Sequence, residues 1–405
     1  MAGSAVFPKL EHFWGGRMVE QHGGVMHYFC SSFVPLVVKK LNSGGPSRHK
    51  RTVSHRQRIF ILLLTLCTVV GLHFSWTSQE SVSLSVSKEP LLIYQQYHSV
   101  GAHSHLYNST FLYRGLNQAE GCLRPSSRDL DAVPLLKINT DSYYQNLICE
   151  YTGILAVAAH ARALHPRPWV GFQSWRAAQK GFALQPRAEA SLLSAISSRA
   201  HGDALYFWSD GGFPGEHISD FYGHCNFIHE HCSRVFADVT KEVLGRHAAD
   251  PAAYSGAPPM PVDGGTYAFM SYFVLPTESL VEYARFAKAA IVALDDSYYY
   301  PHKDGGFCIM AHGGGGADAA YESSHCYCYI LERLINVWAY HTGRRMIYVD
   351  ATTGNMEEQH ALSNRTMWMQ WFQPPHFEES LEKFETFHNE NGNGRNLLRR
   401  LSEQG

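Results

Sequence analysis

The chain has 405 residues, of which 45% are hydrophobic and 13% aromatic, so it can bury a sizeable core in one large or two ordinary domains. Its 34 basic and 36 acidic residues give a formal net charge of −2, which excludes a basic nucleic-acid binder as the default class. The apolar content excludes an acidic disordered protein.

The charge is unevenly distributed along the chain. Residues 1–58 carry nine basic and two acidic groups, a net charge of +7, which leaves −9 for the rest. Residues 59–76 contain no Asp, Glu, Lys or Arg. As a helix, 18 residues span about 27 Å, close to the thickness of a bilayer's hydrocarbon core. By the positive-inside rule, the pattern predicts a cytosolic basic tail (1–58), a transmembrane signal anchor (59–76) and a lumenal body.

This topology is that of a single-pass type II protein of the Golgi or ER membrane. A buried core helix and a cleaved signal peptide are the alternatives for residues 59–76, but the flanking charges and the 58-residue tail favour an anchor. Two glycosylation sequons, at Asn108 and Asn364, agree with a lumenal body. Seven of the nine cysteines follow the anchor, and because seven is odd, at least one lacks a partner in the chain.

Beyond the anchor, we expect a Ser-, His- and Gln-rich stem (77–105), one lumenal domain (106–380) and a polar tail (381–405). Within the domain, apolar periodicity predicts a helix after Asp141, a helix after Pro276 and a helix over residues 327–338 that Gly343 ends. Strands are predicted over residues 168–172, 204–208, 267–275 and 345–350. This alternation predicts an α/β layered domain with a mainly parallel or mixed central sheet, which binds ligands beyond the carboxyl ends of its strands.

Asp-Gly-Gly occurs at Asp210, Asp263 and Asp304, and a tight turn is the ordinary explanation. Asp210 directly follows a hydrophobic strand, so we expect it to hold a divalent cation, Mn²⁺ or Mg²⁺, at a nucleotide diphosphate. A formal Asp-x-Asp at Asp129 and Asp131 lies in a polar segment and is interpreted as a solvated turn.

A dense cluster of histidines and cysteines covers residues 224–232. Its spacing matches no known zinc motif, so a Cys225–Cys232 disulfide or an ordinary helix surface is favoured over a zinc site. His312 precedes four glycines, as in the oxyanion loop of esterases, but the chain has no Gly-x-Ser-x-Gly nucleophile motif. A zinc- or serine-dependent hydrolase is therefore the weakest alternative.

Residues 144–176, 269–283 and 332–338 form three blocks that, in this order, resemble the capsular-polysaccharide-type glycosyltransferase family. Residues 144–152 are similar to its Cys-Glu-Leu-Thr helix, with Cys149-Glu150-Tyr151-Thr152 here, and residues 171–176 stand where its Gly-Leu-x-His-Tyr-Arg-Arg strand would be. Residues 269–276 with the following Glu-x-Tyr resemble its second block, and residues 332–338 resemble its Glu-Arg-Leu helix.

The resemblance covers residues 138–350 and implies a GT-A-like fold that uses a nucleotide sugar. It departs at the His-Tyr-Arg-Arg block, which is Ser-Trp-Arg-Ala over residues 174–177. The residues that carry over are Glu150 and Glu332, which we expect to be catalytic, and Arg176 and Arg333, which we expect to bind the donor. A carboxylate suits the acceptor's proton, and a guanidinium suits a diphosphate.

The sequence therefore predicts a type II membrane glycosyltransferase that transfers a sugar from a nucleotide sugar to a glycan or glycoprotein acceptor in the secretory pathway. Its partners would be the membrane, the donor and the acceptor, and not nucleic acid. The altered 174–177 block leaves a second interpretation open, a non-catalytic lumenal binding or scaffold protein on the same fold.

Overall fold

A computed structural model describes residues 89–107, 111–125, 127–209, 220–244, 257–305, 308–310, 325–365 and 381–384. All of them belong to one compact unit, Ser85–Gly405. The predicted cytosolic tail and the predicted anchor lie outside these residues. In the part of the chain that is described, no helix combines the length and the apolar character that crossing a membrane requires.

The described residues form a mixed eight-stranded sheet in the order β3-β2-β1-β4-β6-β5-β7-β8. The ladders β1–β2, β2–β3, β1–β4 and β5–β7 are parallel, while β6 and β8 run antiparallel to their neighbours. The strands are β1 (Leu91–Tyr97), β2 (Tyr113–Asn117), β3 (Leu130–Asp131), β4 (Trp169–Ser174), β5 (Leu205–Phe207), β6 (Phe273–Pro276), β7 (Met346–Val349) and β8 (Met356–Gln359). The predicted α/β class with a mixed, mainly parallel sheet is confirmed.

Helices cover both faces of this sheet. They are α1 (Ser142–Ile148), α2 (Tyr151–Ala159), α3 (Ala161–Leu164), α4 (Pro186–Ser197), α5 (Phe221–Ile228), α6 (Cys232–Leu244), α7 (Thr277–Gly305) and α8 (Cys328–His341). The larger core cluster takes side chains from α1, α2 and α5–α8, and the smaller one on the other face takes them from α4. Alternate residues of β1 enter the two clusters, as the period of a strand requires.

The prediction of a stem over residues 77–105 is wrong from Leu91 onward. Residues Leu91–Tyr97 form β1, which is buried along its whole length and pairs with β2 and β4. A strand buried on both faces needs a continuous apolar run rather than alternation, and Leu-Leu-Ile-Tyr supplies one. The folded part of the chain therefore begins before residue 106.

The later elements follow the predicted order, with two corrections. The predicted helix after Asp141 is divided, because Cys149 adopts a positive φ of 46° between α1 and α2. The strand predicted over residues 267–275 is confined to its end, β6. Before it, Ala268 is held by a side chain and not by a neighbouring strand: Asn336 Oδ1 accepts its N–H at 2.7 Å, and Asn336 Nδ2 donates to its carbonyl at 2.6 Å.

Asp129 is not part of a solvated turn. Its side chain is 2% exposed and forms an ion pair with Arg124, whose Nε lies 2.6 Å from Oδ2. Tyr97 Oη donates to the same carboxylate oxygen at 2.8 Å. Burial opposes the charge on Asp129, but Arg124 and Tyr97 outweigh it and hold the pKa of this carboxyl below its ordinary value. The predicted turn failed because sequence alone does not show that Arg124 folds back onto Asp129.

Six of the described cysteines form disulfides, Cys149–Cys328, Cys225–Cys232 and Cys308–Cys326. The seventh, Cys122, carries a free thiol, as the odd number required. The favoured interpretation of the 224–232 cluster as a disulfide is confirmed.

Candidate functional site

Several strands end at one edge of the sheet, called here the carboxyl edge. β1, β2, β4 and β5 end there at Tyr97, Asn117, Ser174 and Phe207, and the antiparallel β6 begins there at Phe273. In open α/β sheets, ligands bind in a crevice beyond this edge, at the point where the strand order reverses.

Glu150 lies above the ends of β1 and β2. It immediately precedes α2, and its carbonyl oxygen accepts a hydrogen bond from Gln118 Nε2 at 3.1 Å. Gln118 follows the last residue of β2 and also donates to Gln96 Oε1 in β1 at 2.7 Å. The backbone of Glu150 is thereby attached to the carboxyl edge, while its side chain is partly exposed.

Glu332 lies in the first turns of α8 and is also partly exposed. The helix begins at Cys328, whose disulfide joins it to Cys149, the residue before Glu150. Residues four apart lie on the same side of a helix, so Cys328 and Glu332 face the same way. The disulfide therefore brings the two predicted catalytic residues to the same part of the site.

A hydrogen bond from the residue that follows Glu150 also brings the two glutamates to the same part of the site. Tyr151, which follows Glu150, donates from Oη to the carbonyl oxygen of Leu331 at 2.5 Å. Leu331 directly precedes Glu332. The Tyr151 hydroxyl also contacts that of Tyr283 in α7, so this link is buried among three helices.

The two carboxylates influence one another electrostatically. Burial, together with the negative charge of Glu150, raises the pKa of Glu332 to about 7. The positive charges of Arg333 and Lys180 oppose this rise without cancelling it. A carboxyl that titrates near neutral pH can accept or release a proton under ordinary cellular conditions.

The turn that follows β4 supplies two cations. The N–H of Lys180 donates to the carbonyl oxygen of Arg176 at 2.9 Å, so both belong to one turn. Burial and the charge of Arg176 lower the pKa of Lys180, while Glu332 and Glu150 oppose that change. Arg176 is exposed, with Cζ 5.7 Å from the centroid of the Trp175 ring.

The charges of three of these groups act on Tyr272. It is fully buried just before β6, and burial raises the pKa of its hydroxyl. The charges of Glu150, Arg176 and Glu332 all act on that hydroxyl. The structure thus brings three of the five predicted site residues together at the carboxyl edge.

Arg333 has a different environment from the one predicted. It is 2% exposed, its Nη1 donates to the carbonyl oxygen of Tyr329 at 2.8 Å, and its Cζ lies 4.8 Å from the centroid of the Phe269 ring. Burial lowers the pKa of Arg333 to about 10. Its contribution in this structure is a buried positive charge beside Glu332.

Asp210, the predicted cation ligand, lies outside the described residues, as do His312 and the glycines after it. Within the described ranges, no group of three or more His, Cys, Asp or Glu residues is arranged to hold a metal ion. The expectation of Mn²⁺ or Mg²⁺ at Asp210 remains a prediction. The cysteines of the 224–232 cluster are not metal ligands, because they form the disulfide described above.

The Asp-Gly-Gly sequence at Asp263 forms a tight turn, which is the ordinary explanation of this motif. Gly264 adopts a φ of +79°, and the N–H of Gly265 donates to Asp263 Oδ1 at 3.0 Å. The same oxygen lies 2.7 Å from His360 Nδ1. The third repeat begins at the end of α7, and its Gly306 lies outside the described residues.

Sequence reasoning missed Lys180 and Tyr272. Tyr272 lies within residues 269–276, which resemble the second family block, and Lys180 lies four residues beyond the end of the first block at Arg176. Lys180 follows β4 by six residues and Tyr272 immediately precedes β6, so the rule that ligands bind at strand ends was the signal that could have found them.

No family model and no curated protein matches the chain. Among solved structures, the chain is similar to the apo structure of WbbM, a bifunctional glycosyltransferase, with a TM-score of 0.35 and 12% sequence identity. The similarity covers 61% of this chain and 42% of that one, so the chain spans less than half the length of WbbM.

Proposed function

We propose that the protein is a GT-A-like glycosyltransferase that transfers a sugar from a nucleotide-sugar donor to a hydroxyl of a glycan or glycoprotein. The observation that carries the proposal is the Glu150–Glu332 pair at the carboxyl edge, with Lys180 and Arg176 beside it. The three blocks of family resemblance support it, because the pair consists of the two carboxylates that those blocks single out.

In the proposed reaction, the acceptor hydroxyl oxygen forms a bond to the anomeric carbon of the donor. The bond from that carbon to the phosphate oxygen breaks, and the nucleoside diphosphate leaves with the bonding electrons. Glu332 in its ionised form accepts the hydroxyl proton. A base with a pKa near the working pH combines availability with proton affinity, and that is the property that burial and Glu150 give to Glu332.

The two cations of the β4 turn have separate parts in the proposal. Arg176 is exposed and can contact the leaving diphosphate with two parallel hydrogen bonds. The positive charge of Lys180 interacts with both glutamates and limits the repulsion between them. Glu150 is the negative charge that keeps Glu332 basic.

The proposal includes a type II orientation in the Golgi or ER membrane, with residues 106–380 in the lumen. The asymmetric charge around residues 59–76 supports this orientation. Asn364 is exposed in the structure, as an acceptor of an N-linked glycan would be. Glycosylation of Asn364 in cells, detected as a glycosidase-sensitive mass, tests the orientation directly.

Incubation of the full-length chain with a panel of nucleotide sugars tests the activity, with Mn²⁺ or Mg²⁺ added and donor cleavage as the readout. The proposal predicts cleavage of at least one donor. Donor binding with cleavage under none of these conditions would favour the non-catalytic interpretation that the altered 174–177 block leaves open.

A further inference from the structure

One disulfide and one hydrogen bond connect the segment that contains Glu150 to α8, the helix that contains Glu332. On one side, the Cys149–Cys328 disulfide joins the residue before Glu150 to the start of α8. On the other side, the Tyr151 hydroxyl donates to the carbonyl oxygen of Leu331 at 2.5 Å. Both links therefore start next to Glu150, and they end next to Glu332 or about one helical turn before it.

The disulfide has further contacts at the same junction. Sγ of Cys328 lies 3.4 Å from the carbonyl oxygen of Leu147 and 3.5 Å from that of Asn146, at the end of α1. Cys149 is in the left-handed region, where the chain turns from α1 into α2. The bond therefore holds the α1–α2 junction against the first turn of α8.

Such a connection is needed because the two carboxylates repel each other. Like charges in a partly buried site favour any movement that separates them or lets water between them. Glu150 lies at a junction between two short helices, where the backbone could yield, and Glu332 lies near a helix end. The disulfide on one side of Glu150 and the hydrogen bond on the other restrict any movement that would separate the two carboxylates.

We propose that the Cys149–Cys328 disulfide and the Tyr151–Leu331 hydrogen bond are positioning elements that hold Glu150 and Glu332 together against their repulsion. The site then depends on an oxidised Cys149–Cys328 bond, which restricts it to an oxidising compartment. This inference rests on the proposed function only for the role of the two carboxylates. Their electrostatic coupling is a property of the folded chain and exists without any donor.

Several charged and titratable groups face Glu332 and contribute to its titration. The charges of Glu150 and Lys180, which belong to other segments, act on Glu332, as does the charge of Arg333, its neighbour on α8. The hydroxyls of Tyr151 and Tyr272 lie in the fields of both glutamates. A test must therefore isolate the interaction free energy between Glu150 and Glu332 from the contributions of these other groups.

A double-mutant cycle isolates this interaction free energy, called here the coupling. Glu150→Gln and Glu332→Gln are introduced into the full-length chain, each alone and both together. The free energy of unfolding of each variant at pH 8, measured with denaturant, gives the coupling. The cycle is then repeated after Cys149→Ser and Cys328→Ser. We expect the coupling to fall by at least half when the disulfide is removed, because the carboxylates can then move apart. Unchanged coupling would overturn the inference.

The Cys225–Cys232 disulfide provides a matched control. It joins α5 to α6 over a sequence separation of 7 residues, and it links neither of the segments that carry Glu150 and Glu332. Cys225→Ser with Cys232→Ser removes a disulfide of the same chemistry, and we expect it to leave the coupling unchanged. An equal loss in this control would show that any lost disulfide loosens the site, and the inference would be wrong.

If the chain without Cys149–Cys328 does not fold, Tyr151→Phe supplies the second variant. It keeps the disulfide and the aromatic ring and removes only the hydroxyl that bonds Leu331. We expect a smaller coupling than in the unchanged chain, and a coupling equal to that of the unchanged chain would contradict the inference. Both variants are measured by unfolding without a donor, so a failure here differs from a failure to cleave nucleotide sugars.

Discussion

Glu332 lies close enough to Glu150 for the negative charge of Glu150 to raise its pKa, although the two residues belong to different helices and are far apart in the chain. Burial is the larger cause of the shift and the neighbouring charge the second. Proteins keep such pairs at a cost in stability, and pairs of this kind concentrate at functional sites.

Glu332→Gln should stabilise the protein at pH 8 and have little effect at pH 4. A carboxyl whose folded pKa exceeds its unfolded pKa makes the folded state bind more protons, so stability falls as pH rises between the two values. For Glu332 this window runs from the ordinary value of 4.5 to about 7. Because the side chain is partly exposed, we expect a gain of about 1–2 kcal/mol at pH 8 in denaturant unfolding.

Glu278→Gln is the matched control for that substitution. Glu278 is exposed in the first turn of α7, which follows β6 at the opposite edge of the sheet. It should change stability little, and by a similar amount at both pH values. A Glu332→Gln variant that is destabilised at pH 8, or that shows no difference between pH 4 and pH 8, would contradict the electrostatic account.

Lys180→Met should shift the titration of Glu332 to higher pH, since it removes a positive charge that opposes the raised pKa. The midpoint of the pH-dependent change in stability measures the shift. Lys241→Met, at an exposed position on α6, removes the same charge elsewhere and should leave the midpoint where it was. A midpoint that moves to lower pH, or equally in both variants, would show that Lys180 does not act on Glu332.

The alternation of helices and strands predicted the α/β class, and strand ends indicated where a site would lie. What sequence could not supply were contacts between distant segments. The hydrogen bond of Tyr97 to Asp129, the disulfide of Cys149 with Cys328 and the bond of Tyr151 to Leu331 each join segments that are far apart in the chain.

Gly115→Ala should destabilise the protein by about 1–3 kcal/mol, because β2 packs directly against a buried ion pair. A Cβ at Gly115 would lie 2.4 Å from Asp129 Oδ2, and that carboxylate is held by Arg124 and Tyr97 and cannot easily move. Gly101→Ala is the control, since its Cβ would meet no atom nearer than 3.9 Å. Similar thermal unfolding midpoints for the two variants would contradict this interpretation.

Gly153→Ala distinguishes helix propensity from packing. Propensity alone predicts that Ala in α2 stabilises the protein by about 1 kcal/mol. The structure predicts the opposite, because the new Cβ would lie 2.7 Å from Leu116 Cδ2 and 2.7 Å from Gln118 Nε2. Since Gln118 also holds the backbone of Glu150, the variant should also alter the titration of Glu332.

That second effect separates the site from the general fold. If Gly153→Ala lowers stability but leaves the titration midpoint of Glu332 unchanged, Gln118 does not position Glu150. If the variant is more stable than the unchanged chain, the close approach of α2 to β2 is wrong.

The structure brings some of the predicted site residues together and not others, for a physical reason. Glu150, Glu332 and Arg176 come together because the disulfide and the strand order bring their segments to one edge, and the family blocks already suggested that they belong together. Arg333 was expected to face the donor, but its side chain packs on Phe269, and which side of a helix is buried depends on what covers it. The structure does not describe Asp210, so its role as a cation ligand remains a prediction.

The rate of donor cleavage by the full-length chain and by its Glu332→Gln variant tests the central claim most directly. With the nucleotide sugar that is cleaved fastest, we predict that Glu332→Gln lowers the rate by about 10²- to 10⁴-fold, as expected for the loss of a general base, and that Glu278→Gln leaves it unchanged. We also predict that the rate of the unchanged chain rises with pH through about 7 as Glu332 loses its proton. A Glu332→Gln variant that cleaves the donor as fast as the unchanged chain would contradict the account.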